Sequence, residues 1–338
     1  MLQKTEPDSG NITIYIVDII RCTACLMIFF YHCNTILPGE FRWLTFFGED
    51  MGNQLFFMIS GFALFSSIQK TEISGLPGWY IKRLLRILPM LCLFYLLSFL
   101  TGFYSFRDPA QVFTVFVYPT LYWFVTAILV FYLLLFLFLK INNRYIQGLI
   151  LFGLFLGWCI RTGKMEAYYF AGAFSMFIGA LLKGVLENRD KNKEDRKLLV
   201  LLFLLSFLSY VFVKYLKFSG MAMARSERFY GIVSVAAGIL ALLTGLLALT
   251  AGYYENDRLS AFFEGKVPCY RTMRYIGMLA FPLYMIQCFN AGIIGFTIGN
   301  KIKFPLSFAV NLVVVWGLAI ITDQMINRIR LIKKPKEQ

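Results

Sequence analysis

The hydrophobic positions of this chain form long continuous runs, separated by short segments rich in polar and charged residues. Each run holds about twenty residues, the length that an α-helix needs to cross the hydrocarbon core of a bilayer. A transmembrane β-strand would instead alternate over about ten residues. The pattern therefore predicts ten membrane-spanning helices, over residues 14–36, 51–69, 84–104, 119–140, 145–161, 168–186, 198–217, 229–252, 274–298 and 304–327.

The composition excludes an ordinary soluble domain. Hydrophobic residues make up 59% of the 338 positions, charged residues make up 15%, and the mean hydropathy is +0.66. We expect an all-α fold: a polytopic helical bundle in the membrane that forms one domain over residues 1–338, with short tails at 1–12 and 328–338. No cleavable signal peptide is expected, since the first apolar run lacks a small-residue cleavage site.

The net charge of +14 has a simple explanation in a membrane protein. About two-thirds of the 33 Lys and Arg residues fall in the tails and in alternate loops on the same side as the tails. Because cytoplasmic loops collect basic residues, both termini are predicted to be cytoplasmic, and no nucleic-acid partner is expected. The basic stretch from Lys214 to Arg228 departs from this rule. It indicates either a local weakness of the topology or a surface for an anionic substrate.

The first span carries three ionisable residues: Asp18, Arg21 and His32, the single histidine of the chain. Ionisable groups in hydrocarbon are costly and mark candidate functional sites. Eleven residues turn a helix by about 1100°, so Arg21 and His32 share one face, roughly 16 Å apart along the axis. Asp18 lies three residues before Arg21 and can pair with it, either to orient it or to balance its charge. Such a stripe predicts a polar passage along this face.

Arg83 and Arg86 lie three residues apart at the cytoplasmic end of the third span, next to Lys82. Their planar guanidinium groups suit phosphate, although basic residues at span ends also reach towards lipid headgroups. Together with His32 they fit a thioester donor: the arginines would hold its phosphates while the pantetheine arm of coenzyme A reaches the histidine. Histidine suits a general base, whereas a lone membrane histidine can also serve as a helix–helix hydrogen bond.

Other candidates have simpler alternatives. Glu49 and Asp50 could polarise His32 from the outer loop or remain solvated carboxylates. Ser60 could act chemically or, with Gly61, permit close helix approach. Trp123 and Tyr122 could stack on a sugar ring or belong to an interfacial aromatic belt. The seven cysteines show no metal-ligand spacing with histidine, so no metal site is expected.

Several segments, in this order, resemble the acyltransferase-3 family of integral membrane acyltransferases, which modify envelope sugars and lipids. The first-span arginine and histidine resemble the family's first helix, and residues 52–62 its second-helix signature. The Arg-x-x-Arg segment at 79–89 and the motifs at 121–124 and 281–286 also match. One position departs from the family: Gln287 stands where a second histidine is common, and glutamine cannot act as a base near neutral pH.

The resemblance implies an acyltransferase without a permanently bound cofactor, with acetyl-CoA or a related acyl-CoA as donor. His32 would be catalytic, and Arg21, Arg83 and Arg86 would serve donor binding or the architecture of the site. From their positions in the sequence, Asp18 with Arg21 joins the catalytic candidates and Lys82 joins the donor-binding ones. The acceptor would be a hydroxyl of an envelope polysaccharide or lipid-linked glycan, in a bacterial plasma membrane, and an oligomer is compatible with this. A glycan exporter or flippase is the alternative, although the chain lacks the internal repeats typical of transporters. A scaffold without chemistry would leave the Arg–His stripe unexplained.

Overall fold

A computed structural model describes residues 15–34, 36–100, 123–188, 196–219, 226–264, 267–286 and 304–332. All regular secondary structure in these ranges is helical. The α-helices are α1 (Tyr15–His32), α2 (Asn53–Gln69), α3 (Leu76–Leu100), α4 (Trp123–Leu139), α5 (Arg144–Ile160), α6 (Met165–Glu187), α7 (Arg196–Phe218), α8 (Glu227–Tyr254), α9 (Asn256–Glu264), α10 (Val267–Met278) and α11 (Leu306–Ile332). A further helical segment covers 280–286.

The described residues confirm a helical membrane protein. They contain six segments that are long and apolar enough to cross a bilayer: Tyr15–His32, Gly39–Gln69, Glu166–Glu187, Lys197–Lys217, Phe229–Tyr254 and Leu306–Met325. Helices α4 and α5 are apolar but shorter, at 17 residues each. The total of ten spans stays a prediction, because parts of the third, fourth and ninth predicted spans lie outside the described residues.

The helices differ from the predicted spans at several places. Helix α3 begins at Leu76, well before the apolar run. A π-helix over Gly48–Gly52 leads into α2, and the ninth predicted span is interrupted at Leu279 between α10 and the segment 280–286. Helix α9 was not predicted, because its sequence mixes charged and apolar residues and a hydropathy pattern detects only continuous apolar runs.

Helices α2 and α6 pack closely at the centre of the protein. A β-carbon on Gly61 would collide with the backbone carbonyl of Met176, and one on Gly179 would collide with the carbonyl of Met58. Glycine at both positions therefore lets the two backbones approach, as small residues do at membrane helix interfaces. This contact fixes the position of Phe57 and its neighbours on α2, which line the cavities described below.

Helix α1 passes between two groups of helices. Its first turn meets α9 and α10, where the ring of Tyr15 stacks on Phe263 at 5.7 Å between centroids. Its second half meets α11, where Phe30 stacks on Phe308 at 6.4 Å. The two ends of α1 therefore lie in different surroundings, with Arg21 near α10 and His32 near the end that packs on α11.

Candidate active site

Asp18 and Arg21 form an ion pair in the first half of α1. Nη1 of Arg21 lies 3.1 Å from Oδ1 of Asp18. The other carboxylate oxygen accepts a 2.7 Å hydrogen bond from the Tyr270 hydroxyl and lies 3.8 Å from Nε of Arg274. A β-carbon on Gly277 would sit 3.3 Å from the Arg21 side chain, so α10 packs directly on the guanidinium stem. Asp18 is thus held by three partners from two helices.

The Tyr270 hydroxyl is a stable hydrogen-bond donor in this arrangement. Burial and the hydrogen bond to Asp18 raise the pKa of Tyr270 above its usual value, because both disfavour the phenolate. The hydroxyl therefore stays protonated across the physiological range and keeps the carboxylate of Asp18 in position beside Arg21.

Arg83 is held by a small polar group at the start of α3. Its Nη2 donates a 3.1 Å hydrogen bond to Oγ of Ser67, and its guanidinium carbon lies 4.8 Å from the centre of the Trp79 ring. Nε1 of Trp79 donates to the same Ser67 oxygen at 3.2 Å. Stacking on an aromatic face and a fixed hydrogen bond orient the guanidinium fork. Arg83 is therefore positioned, and its Nε is buried without a hydrogen-bond partner.

Three arginines among the predicted catalytic and donor-binding residues lie near one residue of α4. The hydroxyl of Tyr132 interacts electrostatically with Arg83, Arg86 and Arg21, which come from helices α1 and α3. The side chains of Arg86 and Lys82 are exposed, whereas Arg83 is half-buried. The fold thus brings Arg21 close to Arg83 and Arg86, although more than sixty positions separate Arg21 from them in the sequence.

His32 is the last residue of α1 and its side chain is half-buried. Its ring meets the neighbouring Tyr31 edge-on at 5.5 Å and makes no hydrogen bond with the described residues. Within the described part of the chain, the imidazole therefore forms no helix–helix hydrogen bond.

Part of the face between Arg21 and His32 borders an apolar space among the described residues. Cys25 and Ile28, which lie on this face, border an apolar cavity of about 10 Å³. Its other walls are Phe56, Phe124, Ala280, Phe281, Leu283 and Tyr284. A space of this size holds at most one water molecule. At this level large side chains from α2, α4 and the segment 280–286 form an aromatic constriction, and the polar passage stays a prediction.

A larger cavity of about 290 Å³ lies on the other side of this constriction. It is bordered by the π-helix and by α2, α4, α5, α6, α7 and α8. Phe57 lines it, and the Phe57 ring lies 4.8 Å from Phe124, which borders the small cavity. One layer of aromatic rings therefore separates the two spaces.

A charged group stands at the edge of the large cavity. Asp50 on the π-helix pairs with Lys214, and its Oδ2 lies 3.5 Å from Nζ of Lys217. Asp50 and Lys217 both line the cavity. Lys214 and Lys217 begin the basic stretch that departs from the positive-inside rule. Both lysines are paired with Asp50, and this carboxylate compensates their charge.

The remaining predicted residues divide into three groups. Trp123 lines the large cavity. Ser60 donates its hydroxyl hydrogen to the Phe56 carbonyl at 2.7 Å and does not line that cavity. Tyr122, Gln287 and the side chain of Glu49 lie outside the described residues. Within the described residues no cluster of three His, Cys, Asp or Glu side chains could hold a metal ion.

A comparison with protein families decides the relationship of this chain to known proteins. The model of an acyltransferase domain, that of the acyltransferase-3 family, matches residues 14–322. The chain belongs to the acyltransferase-3 family. No curated protein and no solved structure matches this chain.

Several residues of the candidate site of this acyltransferase-3 family member were not predicted from the sequence. Gln54 is a buried amide inside an apolar run, a signal that polarity within a span could have revealed. Ser67 lies near a span end and Tyr270 lies in a predicted loop, where serine and tyrosine are common, and Tyr132 is one of several aromatic residues within an apolar span. Their roles become visible through their contacts with the arginines and with Asp18.

Proposed function

We propose that this membrane protein transfers a small acyl group, such as acetyl, from cytoplasmic acyl-CoA to a hydroxyl of an envelope polysaccharide or lipid-linked glycan. The observation that carries the proposal is the convergence of Arg21, Arg83 and Arg86 near Tyr132 while His32 stands at the other end of α1. Family membership supports the acyl transfer, and the geometry supports a donor that enters at one end of α1 and reacts at the other.

The proposed topology has ten spans with both termini in the cytoplasm of a bacterial cell, following the charge bias of the loops. The cluster of Arg21, Arg83 and Arg86 then faces the cytoplasm, where coenzyme A is available. Guanidinium groups bind phosphate oxygens in pairs, and exposed Arg86 and Lys82 would meet the donor first. The pantetheine arm would reach towards His32 when the rings of the aromatic constriction turn aside.

The reaction joins the acceptor hydroxyl oxygen to the thioester carbonyl carbon and breaks the carbon–sulfur bond. His32 would take the hydroxyl proton as the oxygen attacks and return it to the departing sulfur, which leaves as the free thiol. A variant in which His32 first carries the acyl group uses the same residue as nucleophile. The aromatic layer would keep water from the thioester and limit hydrolysis.

Donor binding is tested by calorimetry with coenzyme A and purified protein in detergent. The double substitution Arg83→Ala with Arg86→Ala is expected to weaken binding at least tenfold, about 1.4 kcal/mol. Arg144→Ala is the matched control, because Arg144 is exposed at the start of α5, on the side of the membrane predicted for the cluster. Equal affinity in the double variant would assign both arginines to lipid headgroups.

The reaction is tested in cells that carry His32→Ala at normal protein level. Loss of acyl groups from the surface glycan with unchanged export is expected for the enzyme. Loss of glycan export with intact acylation would instead identify the exporter or flippase.

A further inference from the structure

The large cavity has a lining that differs from the rest of this hydrophobic protein. Five aromatic side chains from five helices line it: Phe57, Trp123, Trp158, Tyr168 and Tyr230. None of the described residues that line it is Leu, Ile or Val, although these residue types dominate the spans. A lipid tail would be expected to meet branched aliphatic walls. Aromatic walls with polar groups between them are typical of sites for small polar ligands.

The aromatic walls form a corner that suits a flat ring. The rings of Trp123 and Tyr168 lie 5.7 Å apart with an interplanar angle of 43°. The face of an aromatic ring is electron-rich and attracts weakly positive C–H groups. A pyranose presents such C–H groups on its two faces and hydroxyls at its edge. A sugar ring placed against this corner would therefore direct its hydroxyls to the remaining walls.

Two polar groups on those walls lack partners. The side chain of Gln54 is buried, at 6% exposure, and one end of its amide group hydrogen-bonds with the Ser175 hydroxyl. The other end of the amide makes no hydrogen bond with the described residues and can hydrogen-bond into the cavity. The hydroxyl of Ser234 is buried without a partner, and Ser234 also lines the cavity. Buried polar groups without partners are costly, and sugar hydroxyls would satisfy both.

The cavity also lies close to the proposed reaction centre. Asp50 lines it from the π-helix, and a β-carbon on Gly48 of the same helix would collide with Tyr31, the residue before His32. The π-helix therefore packs on the last turn of α1. A ligand in the cavity would be near the helix end where the acyl group is proposed to arrive.

We infer that this cavity is the acceptor subsite, which holds one pyranose ring against the corner formed by Trp123 and Tyr168 and hydrogen-bonds its hydroxyls through Gln54 and Ser234. This inference rests on the proposed acyltransferase function and names where the glycan binds. The ring stacks through its C–H face, and the aromatic layer of Phe57 and Phe124 separates it from the donor path.

Saturation-transfer NMR tests the subsite with purified protein in nanodiscs and without acyl-CoA. The probes are methyl β-glucopyranoside, methyl N-acetyl-β-glucosaminide and methyl β-glucuronide, which share the ring and differ in substituent. At least one probe is expected to receive saturation at its ring protons. Gln54→Leu and Ser234→Ala are expected to lower this signal at least about twofold, since each removes one hydrogen bond.

The control is Trp43→Leu, because Trp43 is 60% exposed and does not line the cavity. Ser234→Ala is expected to fold normally, since it removes a hydroxyl that has no hydrogen-bond partner among the described residues. A weaker signal from this variant therefore reports on sugar binding and not on misfolding. Absence of saturation transfer to all three probes, or equal signals in wild type and both cavity variants, would overturn the subsite. The coenzyme A titration separates this result from the proposed function: intact donor binding with no sugar binding rejects the subsite alone.

Discussion

The Tyr270 hydroxyl donates a 2.7 Å hydrogen bond to Oδ2 of Asp18, while Oδ1 of the same carboxylate pairs with Arg21. The bond joins α10 to α1 at the level of Arg21. It explains how an aspartate inside an apolar helix is stabilised, since each carboxylate oxygen has a polar partner.

Replacing Tyr270 with Phe is expected to lower the free energy of unfolding by about 1.5–3 kcal/mol, the usual worth of a hydrogen bond to a charged group. Because the folded-state pKa of Tyr270 is raised above its unfolded value near 10, the stabilisation is fully present below pH 10 and is lost as pH rises further. Thermal unfolding in detergent at pH 7, 9 and above 10 measures this. Tyr145→Phe is the control, since Tyr145 is 86% exposed.

Replacing Ser67 with Ala is expected to weaken coenzyme A binding by about two- to tenfold. The substitution removes the oxygen that accepts from both Arg83 and Trp79, so the guanidinium loses its fixed orientation. Calorimetry with coenzyme A measures the effect, and Ser74→Ala serves as the exposed control. Unchanged affinity would mean that Arg83 does not need this orientation to bind the donor.

Alanine at Gly61 or Gly179 is expected to destabilise the protein by about 1–3 kcal/mol, the usual cost of overpacking a close contact. The added methyl group would push against a backbone carbonyl of the partner helix, which cannot turn aside as a side chain can. Gly153→Ala on α5 is the matched control, because nothing lies within 4 Å of its added β-carbon. Thermal unfolding of the three variants compares these sites, and equal melting temperatures would contradict the close α2–α6 contact.

The substitution Asp50→Asn is expected to lower the free energy of unfolding by about 3–5 kcal/mol, because it leaves buried Lys214 without its carboxylate partner. Combining Asp50→Asn with Lys214→Met should recover part of the loss, and a double-mutant cycle measures the recovery. The exposed pair of Arg161 and Glu166, 3.9 Å apart, supplies the contrast. Arg161→Ala should change the melting temperature little, as exposed ion pairs contribute little.

Opening the aromatic layer is expected to increase wasteful hydrolysis of the donor. Phe124→Ala removes the ring that borders the small cavity and contacts Phe57 on the side of the large one. Water would then reach the thioester from the acceptor side. The ratio of free acid released to acyl groups transferred should rise, whereas Phe152→Ala on the exposed face of α5 should leave it unchanged. A constant ratio would show that this layer does not exclude water.

The sequence alone predicted the helical membrane class, the approximate positions of the helices within the described residues and the Asp18–Arg21 pair. These features follow from local periodicity, because helix length, helix face and i,i+3 contacts depend on spacing along one segment. It also singled out Trp123 as a substrate-binding candidate. The placement of that residue in a cavity is visible only in the structure.

The tertiary structure decided how distant segments meet. The convergence of Arg21 and Arg83 near Tyr132, the support of Asp18 by Tyr270 and the cavity bordered by Gln54 all join separate helices. The aromatic constriction between Arg21 and His32 also comes from other helices, which is why a polar face on α1 did not predict it. Periodicity reports which side of a helix a residue occupies, whereas the side chains that fill the facing space depend on how the helices pack.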